Sequence, residues 1–200
     1  SHSIVCMAIN HRLVCLIGIK DQLRPNVKTY LEQLRKEGAH QLILCSGDNE
    51  GSVQAIAKEL DLDEAYARML PEDKAELIQR LKHKGHHVVF VGDGINDSPS
   101  IALADIGIAM GNGTDVAIET SDVVLMDDKF KSLVHAYRLS KVVNRNMKQN
   151  IVIAVGVVLF LLASVFLSEW MNMSIGMFVH EGSILVVILN GMRLMKFKTR

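Results

Sequence analysis

VVFVGDGINDSP, residues 88–99, joins a short, wholly apolar run to a turn holding two glycines and two aspartates. A run this short, bounded by turn residues, suits a strand buried on both faces of a parallel sheet. Gly92 and Gly94 permit close backbone approach, while Asp93 and Asp97 set two carboxylates four residues apart just beyond the strand end. Hard oxygen donors there suit Mg²⁺, which keeps several waters and bridges to a phosphate. A lone DGxxD would equally serve as a turn capped by aspartates. Eight specific residues between a strand and a helix favour the chemical reading.

Upstream, residues 41–45 form a second strand candidate that ends at Cys45 and runs into Ser46, Gly47 and Asp48. A hydroxyl and free amides before a helix can hold phosphoryl oxygens, although SGD alone is also an ordinary N-cap. Lys74 follows Pro71, Glu72 and Asp73 at a helix start, where the helix dipole does not favour a cation; alone it would be a solvated surface lysine. Helices are expected through Val27, Leu31 and Leu34, through Val53, Ile56, Ala57 and Leu60, and from Pro71 to Gly85. Further short strands are expected at 106–109 and 123–126, and residues 3–9 and 13–19 should form a β-hairpin. Strands alternating with amphipathic helices predict a Rossmann-like α/β domain with its site at the carboxyl ends of the strands.

The 200 residues are 49% apolar and 22% charged with zero net charge, so no clustered basic excess points to nucleic acid. Cys6, Cys15 and Cys45 are an odd set without a CxxC, which fits buried reduced thiols better than a disulfide or metal framework. His83, His86 and His87 fit a solvated helix end better than a metal site. Residues 151–167 carry no charge and fall within the length a bilayer requires, and a second span is expected over about 175–195. Residues 168–173 between them lack Lys and Arg, while Lys141, Arg145 and Lys148 precede the first span and Arg193, Lys196, Lys198 and Arg200 follow the second. This is a helical hairpin with both ends cytoplasmic. His180 and Glu181 fall within the second span, where ionisable groups are costly and mark a pathway or a pair.

The order hydroxyl, Lys, GDGxND resembles the haloacid-dehalogenase phosphotransferases. PEDK (71–74), VGDGINDSPSIALADIGIAMGNGTDVAIETSDVVLM (91–126) and the basic helix after it resemble the P-type ATPases, and the heavy-metal branch in particular. The resemblance covers essentially the whole chain. Ser46 stands where that family usually has Thr, which keeps the hydroxyl. It implies a haloacid-dehalogenase-type phosphorylation domain over 20–133, lacking its nucleophile strand. The end of a nucleotide-binding domain precedes it over 1–19, and a two-helix membrane hairpin follows over 134–200, with spans near 150–168 and 175–195. It further implies Asp93 as principal Mg²⁺ ligand with Asp97 in support, Lys74 and Ser46 neutralising and orienting the transferred phosphoryl, and Asp48 and Asn96 ordering the loops; Gly47 is expected to belong to the same catalytic set, and Gly92 and Gly94 to the cofactor-binding turn.

The family's DKTGT nucleophile does not occur; Asp128 and Lys129 follow a strand candidate but lead into Phe130, Lys131 and Ser132. The chain is therefore expected to be the C-terminal part of an ATP-driven, Mg²⁺-dependent exporter, inactive without the N-terminal part of the same pump. The run HEGSILVVILNGMRL (180–194) resembles the zinc-, cobalt-, cadmium- and iron-type pumps, which implies a divalent transition-metal ion near His180 and Glu181. The protein is expected in the cell membrane, in contact with lipid, its soluble domain in the cytoplasm. A membrane-tethered phosphatase of the same superfamily, or a non-catalytic piece that binds other pump segments, are the alternatives. The first would need a DxDxT nucleophile, which is not present.

Overall fold

The computed structural model describes residues 3–19, 23–93, 95–111, 115–127, 129–167 and 172–197. They divide into two compact units, residues 1–134 and 135–200. In the first unit, β1 (Ser3–Ile9) and β2 (Arg12–Ile19) pair antiparallel through a turn in which Asn10 and His11 take positive φ. Met7, Ile9, Leu13, Val14, Leu16 and Ile17 of these strands are exposed.

The α/β part follows the expected alternation. Helix α1 (Val27–Glu37) buries Val27 and Leu34 and ends at Gly38, whose φ of 112° lets its amide bond back to Arg35 and Leu34 carbonyls. Strand β3 (Ile43–Cys45) leads into α2 (Glu50–Leu60), where the Asn49 side chain accepts the Ser52 amide at 3.0 Å. Then come β4 (Glu64–Tyr66) and α3 (Pro71–His83). Pro71 opens α3, and the Asp73 carboxylate takes the Leu70 amide at 2.8 Å. Strand β5 (Val89–Gly92), a 3-10 turn (Ile95–Asp97), α4 (Ser98–Leu103), β6 (Ile106–Met110), α5 (Asp115–Thr120) and β7 (Val123–Leu125) complete the unit. Ile101, Val53 and Val134 are its most deeply buried large side chains.

Two departures from expectation bear on function. First, β4, which the apolar pattern did not predict, pairs parallel with β3; its sequence EAY has no hydrophobic run, and its register comes from its neighbour. Second, the sheet is split: β3 pairs with β4, and β5–β6–β7 form a separate parallel sheet. The expected burial on both faces is accordingly incomplete, with β3 half-buried throughout and Val89 of β5 48% exposed. Among the described residues β3 and β5 each have a strand partner on one side only.

The amino ends of these strands are pinned by aspartates. Asp63 takes the Leu42 amide at 2.7 Å, Asp105 takes that of Val88 at 2.8 Å, and Asp122 takes that of Gly107 at 2.8 Å. Gly107 also lets α4 lie against β6, since a Cβ there would sit 2.3 Å from the Ile101 carbonyl oxygen.

In the second unit, α6 (Phe130–Leu167, which begins in the first unit) and α7 (Met173–Met192) are both long and apolar enough to cross a bilayer. The expected second span ends in a 3-10 turn, Arg193–Lys196. The helices are joined by asparagines. Asn146 donates to the Asn190 carbonyl at 2.8 Å, Asn190 donates to Asn150 Oδ1 at 2.8 Å, and Asn150 donates to Asn146 Oδ1 at 3.3 Å. Side-chain amides joined in this way stabilise helix pairs where apolar packing alone gives no preference over lipid.

Candidate phosphoryl-transfer site

The site is assembled at the carboxyl ends of the strands. Beyond β3, the Ser46 hydroxyl donates to Asp48 Oδ2 at 2.9 Å and accepts the Asp48 amide at 3.1 Å. The loop is tied to the segment after β4: Ser46 N bonds Tyr66 O at 2.9 Å, Met69 N bonds Ser46 O at 3.0 Å, and Arg68 N bonds Asp48 O at 2.9 Å. That segment leads directly into α3, so the same bonds that shape the Ser46 loop also set where Lys74 stands.

Lys74 Nζ lies 2.8 Å from Asp97 Oδ1, and the two side chains are 14% and 15% exposed. A lysine expected from its position alone to be solvated is thus paired and mostly buried. The thiol of Cys45, at the end of β3, is pushed up to about 11, first by burial, with Lys74 opposing and Asp97 and Glu64 reinforcing the rise. The ends of β3 and β5 are therefore electrostatic neighbours although no hydrogen bond joins the strands. Asp97 folds back over Gly92, where an added Cβ would sit 2.7 Å from the Asp97 Cβ, so the turn needs glycine. Asp93 and Asn96 are exposed. Gly94 and Asp128 lie outside the described residues.

The structure thus brings Lys74 and Asp97 into contact and sets Cys45 beside them, with Ser46, Gly47 and Asp48 forming the next turn of that chain. The donor set suits Mg²⁺: an exposed carboxylate at Asp93 and a second carboxylate from Asp97. His180 and Glu181 stand exposed on α7, with the His180 carbonyl accepting the Ser183 hydroxyl at 2.6 Å. Among the described residues no three His, Cys, Asp or Glu side chains converge on one point. Sequence reasoning passed over the asparagine clamp and the three strand-end aspartates. The latter had a signal, an Asp immediately before each of β4, β6 and β7.

Residues 3–105 match the haloacid dehalogenase-like hydrolases, and the chain belongs to that family. Within it, the likeness is to heavy-metal-transporting P-type ATPases. The chain is 45% identical over 195 residues to a zinc-transporting ATPase of Bacillus subtilis, covering 98% of this chain and 30% of the relative. It is 37% identical over 190 residues to a probable cadmium-transporting ATPase of Listeria monocytogenes, covering 94% and 27%. A crystal structure of a zinc-transporting PIB-type ATPase in the E2.Pi state superposes with a TM-score of 0.87 at 34% identity, over 98% of this chain and 32% of that one. The chain spans less than a third of the length of these curated relatives.

Proposed function

We propose that this chain supplies most of the phosphorylation site and a membrane hairpin of an ATP-driven, Mg²⁺-dependent exporter of a divalent transition metal of the zinc, cobalt, cadmium or iron type. The acceptor aspartate would come from another part of the same protein. One observation carries this reading: Lys74 and Asp97 meet beyond the carboxyl ends of β3 and β5, and among the described residues each of these strands has a strand partner on one side only. A strand inserted there would complete the sheet and deliver its carboxyl-terminal residue beside Lys74, where ligands of open α/β sheets bind.

In this arrangement Lys74 neutralises the transferred phosphoryl, the Ser46 hydroxyl and the Gly47 and Asp48 amides orient its oxygens, and Asp48 and Asn96 hold the two loops. Gly92 keeps the turn low enough for the phosphate to approach. Asp93 and Asp97 would hold Mg²⁺, which when bound supplies charge neutralisation to the phosphoryl oxygens. Phosphoryl transfer asks the protein for positioning and electrostatic stabilisation, and this set of groups offers both. Imidazole and carboxylate at 180 and 181 suit Zn²⁺, Co²⁺ or Fe²⁺ rather than Cu⁺, which favours thiolate and thioether. With only two such groups, the remaining ligands would come from other helices of the protein.

The test uses the intact pump in vesicles. His180→Ala should weaken Zn²⁺-stimulated ATPase activity about tenfold or more, the usual scale for losing one metal ligand or its support. Phosphorylation by inorganic phosphate should remain. Stimulation by Cu⁺ alone, or unchanged Zn²⁺ dependence in the variant, would overturn the assignment.

A further inference from the structure

Where α6 and α7 emerge at their basic ends, a groove of about 300 Å³ opens between them, lined by Arg145, Asn146 and Gln149 from α6 and Arg193, Lys196 and Phe197 from the end of the hairpin. The 3-10 turn after α7 carries Arg193 and Lys196 into this position, and Phe197 is held by the His135 ring, centroids 5.7 Å apart. Among the described residues of this unit no acidic residue lies beside these cations. Between 135 and 200 the acids are Glu169 and Glu181, and Glu181 stands about 18 Å along α7 from Arg193. Arg193 bonds the Asn190 side chain at 3.1 Å, and among the described residues no carboxylate pairs with Arg145, Arg193 or Lys196.

A second groove, of about 460 Å³, begins where the first ends, sharing Asn146 and Leu194 with it and continuing along the helix seam past Met147, Ile151, Ala154 and Val187. Its lining is almost wholly apolar. A cationic pocket opening onto an apolar trough that runs into the membrane span has the shape of a phospholipid, headgroup in one and acyl chain in the other. Both volumes fall within the ~300–1,000 Å³ usual for small-molecule sites.

We propose that this pair of grooves binds an anionic phospholipid of the cytoplasmic leaflet, its phosphodiester between Arg145, Arg193 and Lys196 and one acyl chain in the α6–α7 trough. Arginine forks match phosphate oxygens, and basic pockets between membrane helices on the cytoplasmic side are suited to such headgroups. The continuity with the trough favours lipid over free phosphate. The proposal rests on the membrane hairpin and is independent of phosphoryl transfer.

The intact protein is reconstituted in phosphatidylcholine bilayers with a trace of spin-labelled phosphatidylglycerol or spin-labelled phosphatidylcholine, and the motionally restricted fraction is measured without ATP. Unaltered protein should favour phosphatidylglycerol by ~5-fold or more, given three cations at the surface. Equal association of the two lipids would overturn the proposal, as it would if another helix of the protein filled the groove. R145Q/R193Q/K196Q should bring the ratio near one, R145K/R193K should keep it, and Lys148→Gln, outside the groove, should keep it as well. Loss of preference in Lys148→Gln to the same degree would mean a diffuse charge effect and no site. Excess inorganic phosphate should leave the ratio intact; displacement would assign the pocket to free phosphate instead.

Discussion

Replacing Lys74 by Met tests whether its pairing with Asp97 organises the ends of the two half-sheets. At 2.8 Å the gross attraction is ~6 kcal/mol with an effective dielectric near 20. Desolvation of both ions offsets much of this, because each side chain is only about 15% exposed, and the coupling that remains should be about 1–3 kcal/mol. Lys74→Met leaves Asp97 charged, mostly buried and unpaired, so it should cost more, about 2–3 kcal/mol, than Asp97→Asn, which leaves a lysine able to extend to water. The double variant should cost less than the sum. Hydrogen exchange read separately over residues 43–48 and 89–97 measures this locally, without requiring the whole chain to unfold as one. Additive effects within about 0.3 kcal/mol would show that the pair contributes nothing. A coupling that vanishes in high salt would instead show a solvent-screened pair, the behaviour expected of Lys129 and Asp127, 4.0 Å apart and 74% and 44% exposed.

Two further expectations follow from titrating groups. The Leu42 amide and then Arg35 lower the Asp63 carboxyl below 3.8, so its stabilising effect is present above that pH and is lost as pH falls through the lowered value. Thermal unfolding should therefore show Asp63→Asn less stable than the parent at pH 7, with the gap closing in acid; a constant gap would contradict the role given to its charge. The Cys45 thiol, pushed up to about 11 chiefly by burial, should resist iodoacetamide at pH 8 while exposed Cys6 reacts, and comparable rates for the two would place Cys45 in a different environment.

Much of the site was legible because its chemistry is written in consecutive residues. GDGINDSP carries its own glycine, carboxylate and proline requirements, and it folds as a strand, a 3-10 turn and a helix in that order. The partnership of Lys74 with Asp97 was not legible, since 23 positions separate them and only the pairing of β3 with β4 and the turn of α3 bring them together. Strand β4 escaped notice because EAY takes its conformation from β3 rather than from its own side chains. The half-exposure of β3 and β5 could not be read from their apolar residues, which describe the burial a strand is built for. Asn146, Asn150 and Asn190 went unremarked for a related reason: isolated amides in an apolar helix signal nothing until their partners on the other helix are known.

In the proposed function, the groups around Lys74 and Asp97 act on a phosphoryl carried by an aspartate outside this chain. The most direct measurement is acid-stable labelling from radioactive ATP in Mg²⁺, comparing the intact protein, its Asp93→Asn variant and the 200-residue chain alone. The account predicts label on the intact protein, a loss of about a hundredfold or more in the rate of labelling of the variant, and none on the isolated chain. Acid-stable label or steady Mg²⁺-dependent hydrolysis by the isolated chain would contradict it.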